Sequence, residues 1–169
     1  MGIGGLVDLA KRLKDRRLGF RIDEVMEGEH ELEPGFGPAG RQPMEFRITW
    51  GPDDIGAWLR PHSGRFLWQE LVGSVTMVGF CEGALCKGEL ELRYFADRRL
   101  RYDFEFSVHD KTYRYVGEKV NIRPWNLPVS HTTCFGRVIE KDTGRLVSTS
   151  VVHFHWRRLP GFLASMRLT

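Results

Sequence analysis

Three of the six histidines are spaced to meet. His153-x-His155 on an extended strand places both imidazoles on one face, because strand side chains alternate. Residues 131–140 and 145–156 flank Lys141-Asp142-Thr143-Gly144. Asp and Thr suit a type I turn, and Gly144 suits the left-handed position that follows. Facing Lys141 with Arg145 pairs Ile139 with Val147, Phe135 with Val151, Thr133 with His153 and His131 with His155. Three imidazoles converging from antiparallel strands can hold zinc with one open position. Thr133 and Thr149 share that face, but no carboxylate is expected there to orient the rings. Zinc at His131, His153 and His155 is therefore the minor reading. The major one is a set of polar fillers of a barrel wall, a solvated sheet face, or a contact for the polar end of a ligand.

Lys119 and Glu24 are the other groups able to move a proton. A loop symmetric about Asp110-Lys111 pairs Phe106 with Tyr115, Phe104 with Gly117 and Tyr102 with Lys119. Lys119 then points to an aromatic face, where it can pair with a ligand carboxylate or, with its pKa depressed by desolvation, act as a base or amine nucleophile, but the favoured expectation is a side chain that snorkels out at a barrel rim. Glu24 sits on the apolar face of an alternating strand, and a salt bridge to Lys119 or an inward arginine is its expected role over general acid or base. Tyr102, Tyr113, Tyr115 and Trp125 are candidate walls of a ligand pocket, with core packing as the plainer role. The candidate catalytic residues are Lys119, His131, His155 and Glu24. The candidate ligand contacts are Tyr102, Tyr113, Tyr115, Lys119, Trp125, His131, Thr133, His153 and His155. Gly73-Ser74 lacks the flanks of a nucleophile elbow, and no phosphate-binding glycine loop occurs.

The elements that must position these groups are mostly strands. Phe20–Leu32 alternates, with Phe20, Ile22, Glu24, Met26 and Gly28 on one face. Met44–Trp50, Phe66–Phe80, Gly88–Phe95, Leu100–Val108 and Tyr113–Val120 follow, then the long hairpin. Pro- and Gly-rich stretches at residues 33–43 and 121–129 read as loops, and residues 82–87 as a turn region. Asp53 can cap a short helix over residues 54–59. Leu6, Leu9, Ala10 and Leu13 give an amphipathic helix within residues 1–18, and Pro160, Leu163 and Met166 give another within 159–169. About eight strands with helices near the ends predict a mainly β fold. The expected architecture is a single domain, 1–169, an antiparallel up-and-down barrel of the calycin type that can hold one small ligand, with an open curved sheet wrapped on a helix as the alternative.

Composition narrows the function further. Charged residues are 28% and the net charge is only +3. A nucleic-acid surface calls for a denser basic stripe, so none is expected. Cys81, Cys86 and Cys134 are odd in number and lack metal spacing, which points to reduced thiols. No apolar run approaches a membrane span, and the start lacks a secretion pattern. The expected location is cytoplasmic.

Ile22-x-Glu24-x-Met26-x-Gly28 resembles the F-x-E-x-M-x-G opening of a lipocalin-like domain associated with GMC-type, cholesterol-oxidase-like flavoproteins. Tyr113-x-Tyr115-x-Gly117-x-Lys119, followed by Trp125 and Thr132-Thr133, resembles that domain's second stretch. Ile22 stands where the family has Phe, and His131 where it has an acidic residue. The likeness runs in order over most of the chain. It implies a β-barrel near lipid or sterol chemistry and a flavoprotein partner, but no catalytic residues. The chain itself carries no dinucleotide fingerprint.

The expected function is therefore binding of a small apolar molecule, lipid-, sterol- or polyketide-like, inside a barrel. The alternatives are a cofactor-free isomerase or cyclase using His or Lys for proton transfer, and an accessory domain of an oxidoreductase. A homodimer is compatible with either.

Overall fold

Side chains that alternate in sequence alternate across one closed wall. The computed structural model describes residues 18–123, 125 and 132–169. The strands are β1 (Phe20–Leu32), β2 (Arg41–Trp50), β3 (Trp68–Met77), β4 (Cys81–Arg93), β5 (Arg99–Val108), β6 (Lys111–Lys119), β7 (Thr133–Glu140) and β8 (Leu146–His153). Each pairs antiparallel with its sequence neighbour, and β1 also pairs with β8, which closes an eight-stranded up-and-down barrel. Closure removes the two edges that an open sheet would expose. A helix, α1 (Ile55–Trp58), follows β2, and Asp54 rather than the expected Asp53 caps it, accepting from the Ala57 amide.

The chain leaves the wall after β8. A 3-10 turn (Trp156–Arg158) and a helix, α2 (Leu159–Ala164), carry it across one end. It returns as β9 (Arg167–Leu168), beside Phe20 and Arg21 of β1. β8 covers β1 only from Glu27 to Leu32. In the gap the Asp23 amide donates to the Ser165 hydroxyl at 2.8 Å. The expected C-terminal helix is therefore shorter, ending at Ala164. The N-terminal helix expected within residues 1–18 falls almost wholly outside the described residues.

Three local expectations are corrected. Residues 82–87 belong to β4, because the chain reverses earlier, at Gly79 with φ of +82°. Ala84 and Leu85 thus lie beside Val75 and Ser74. The loop between β5 and β6 is His109-Asp110, two residues with φ of 46° and 64°, the backbone of a type I′ turn. Phe104 consequently pairs with Tyr115, Tyr102 with Gly117 and Leu100 with Lys119. A two-residue shift preserves the face, so Lys119 still points inward. In the hairpin of β7 and β8, Thr133 pairs with His153 and Phe135 with Val151 as expected. Nearer the turn a bulge sets Ile139 against Leu146 and drives Val147 inside, fully buried.

The middle of the barrel is solid. Phe46 lies 5.5–5.6 Å from the rings of Tyr102, Phe104 and Tyr115, and Tyr115 stacks on Phe104 at 4.7 Å. Gly117 and Gly136 face each other across β6 and β7. A Cβ on either would overlap the Tyr115 ring. Two glycines thus make room for one tyrosine.

Candidate functional site

The end of the barrel that α2 crosses holds an apolar cavity of about 360 Å³. Its wall comes from strand ends: Glu24 of β1, Trp50 of β2, Leu92 of β4, and Leu100 and Tyr102 of β5. Tyr94, just past β4, and Thr132 before β7 extend it. The detour after β8 supplies Phe154, Trp156, Leu159 and Phe162 as a roof. Phe162 packs edge-on against Phe154 at 5.3 Å.

One buried ionic constellation borders this cavity. Glu24 is 5% exposed and Lys119 3%. Lys119 Nζ donates to Glu24 Oε1 at 3.0 Å, and Tyr102 OH donates to the same oxygen at 3.0 Å. Trp50 Nε1 donates to Oε2 at 3.0 Å. Nζ also sits 5.3 Å from the Tyr102 ring centroid, within cation–π range. Buried charges persist when paired and hydrogen-bonded in this way. Burial first, and the Glu24 charge second, push Tyr94 up to about 12 and Tyr102 well above 10. Both phenols therefore keep their protons at neutral pH. Burial likewise raises Cys134 to about 12, against the lowering effect of Lys119, so it stays a thiol.

The structure brings together Glu24, Lys119 and Tyr102 from the residues singled out in the sequence. Tyr113 and Tyr115 lie deeper, in the solid core, where Tyr113 meets Phe80 at 4.9 Å and Tyr115 OH lies 3.7 Å from Cys134 Sγ. Trp125 is 75% exposed, with the Arg123 guanidinium 5.4 Å from its ring centroid. Thr133, His153 and His155 are not brought to the cavity. Cys134 and Val152 point inward, fully buried, so Thr133, Phe135, Val151 and His153 alternate outward. His153 Nδ1 lies 3.1 Å from Thr133 Oγ1. A carboxylate does reach this face, contrary to expectation: Glu27 Oε2 is 3.5 Å from His155 Nε2, and Glu27 also binds Arg158. Among the described residues no three His, Cys, Asp or Glu side chains gather as metal ligands. His131 lies outside the described residues.

The sequence reading missed Trp50, Tyr94, Leu100 and the roof. A signal for the strand-end residues was present. Trp50 continues the inward parity of Phe46 and Ile48, Tyr94 that of Leu90 and Leu92, and Phe154 that of Val152. For Trp156, Leu159 and Phe162 there was none, because the detour depends on where β8 stops pairing.

No helix among the described residues is long and apolar enough to cross a membrane. Comparison of the chain with protein-family models, curated proteins and solved structures finds no match. The architecture is that of an eight-stranded antiparallel barrel, which is consistent with a ligand-binding, calycin-like fold.

Proposed function

We propose that this protein binds a small apolar molecule in the cavity at the α2 end of the barrel. The observation that carries the reading is the cavity itself: about 360 Å³ walled mostly by aromatic and aliphatic side chains, with Glu24 the one charged group among the described residues lining it. Mostly apolar concave sites with a few placed polar groups are what small ligands occupy. The volume is near the lower end of the range for such pockets, about 300–1,000 Å³. It suits a compact ring system or short chain better than a large lipid. The resemblance to the lipocalin-like domain supports the same reading, and it adds a GMC-type flavoprotein as the partner to try.

Proton transfer in a cofactor-free isomerisation is a second reading. Among the described residues it is favoured by Glu24, the carboxylate at the wall, rather than by Lys119 or His155.

The test is occupancy. A neutral solvatochromic dye should bind with a blue shift and at one site per chain. Filling the cavity by Leu159→Trp should weaken that binding at least about tenfold with the fold intact by circular dichroism. Equal binding to both proteins would remove the cavity from consideration.

A further inference from the structure

Resting on that cavity, we infer that its ligand is a neutral apolar alcohol or phenol whose hydroxyl donates to Glu24 Oε2. A carboxylate offers about four acceptor positions, two on each oxygen. Oε1 is filled by Lys119 and Tyr102. Among the described residues Oε2 accepts a single bond, from Trp50. Among the described residues one acceptor position on Oε2 is therefore left, on a residue that lines the cavity. Trp50 and Tyr102 share that lining with Glu24, whereas Lys119 does not line it.

Charge then selects among donors. The Glu24 charge is already balanced by an ammonium 3.0 Å away. A ligand ammonium would leave water for a site whose net charge is zero, and would lie close to the like charge of Lys119. A ligand carboxylate would meet Glu24 itself at hydrogen-bond range, with no donor to offer. An ether or ketone would set acceptor against acceptor and leave the open position unpaired. A neutral hydroxyl satisfies the acceptor without adding charge, and hydrogen bonds to charged groups are the stronger class. Of the other wall residues, Leu92, Leu100, Phe154, Leu159 and Phe162 offer the ligand body only hydrocarbon, while Tyr94, Thr132 and Trp156 each add one polar group.

Four probes with one bicyclic skeleton test this: 2-decalol, 2-methoxydecalin, 2-aminodecalin as its ammonium, and decalin-2-carboxylate. Each is titrated at pH 7 against the wild-type chain by displacement of the dye. The alcohol should bind about tenfold more tightly than the methyl ether, and the two ions should bind more weakly still. In Glu24→Gln/Lys119→Met, which removes both charges together, the advantage of the alcohol should shrink to within about twofold. The wild-type comparison needs no variant, so poor folding of the double variant does not spare the inference. Ether binding as well as alcohol, or either ion binding best, overturns the inference and leaves the cavity reading standing. Failure of all four, with the dye indifferent to Leu159→Trp, overturns both.

Discussion

Glu24 and Lys119 illustrate how a buried ion pair acts as a positional constraint. Each is nearly inaccessible, and each satisfies the other at 3.0 Å. Removing one partner strands a charge in an aromatic interior, which costs about 3–5 kcal/mol, while removing both costs far less. Lys119→Met should therefore lower the free energy of unfolding by about that amount. Glu24→Gln/Lys119→Met should recover most of it, and a double-mutant cycle by urea denaturation reads the coupling. Additive single-site losses would contradict the pairing. The pair also leaves Lys119 little freedom as a nucleophile, since its Nζ is committed to Glu24 and lies over Tyr102.

At the scale of elements, β6 and β7 are fitted to each other through Tyr115. The cross-strand glycines Gly117 and Gly136 leave the volume that its ring fills. Gly136→Ala should therefore destabilise the barrel by about 1–3 kcal/mol, the usual range for overpacking, seen as a lower melting temperature. The atom nearest the new Cβ is the Tyr115 hydroxyl oxygen, so adding Tyr115→Phe should restore part of the loss. An unchanged melting temperature for Gly136→Ala would mean that the ring does not occupy this niche. The roof over the cavity is held by a different device. Arg158 pairs with Glu27 and Arg167 with Asp23, and His155 Nε2 lies beside Glu27, so the detour is anchored to β1 at the last residue that β8 covers and within the stretch beyond it.

For the molecule as a whole, the end away from the cavity carries a pH dependence. His30 is 1% exposed, with Nε2 3.0 Å from the Val78 carbonyl and Nδ1 3.1 Å from Ser148 Oγ. It links β1 to the turn after β3 and to β8. Burial lowers its pKa below 6.5, outweighing the raising effect of the Val78 carbonyl. The unfolded chain takes up a proton near 6.5, while the folded imidazole resists it until lower pH. Stability from this group is thus complete above about 6.5 and is lost as pH falls toward the folded value, at up to about 1.4 kcal/mol per pH unit. Unfolding free energies measured from pH 7.5 to 5 should show this slope, and His30→Gln should flatten it. A slope identical in both proteins would assign the acid sensitivity elsewhere.

Where one face of a strand is plainly apolar, alternation along the chain is enough to say which side chains face in. Alternation in Phe20–Leu32, Leu100–Val108 and Tyr113–Lys119 placed Glu24, Tyr102 and Lys119 on one interior surface, and a register error of two residues left that face unchanged. The same periodicity grouped Thr133 with His153, but it cannot tell the inside of a wall from the outside when both faces carry mixed residues. Tertiary structure decided that. Closure put Cys134, Ser150 and Val152 inside and His153 and His155 out, where Glu27 of the neighbouring β1 meets His155. It also decided the cavity, because a pocket between the ends of distant strands and a crossing helix follows from where pairing stops, which no local pattern encodes.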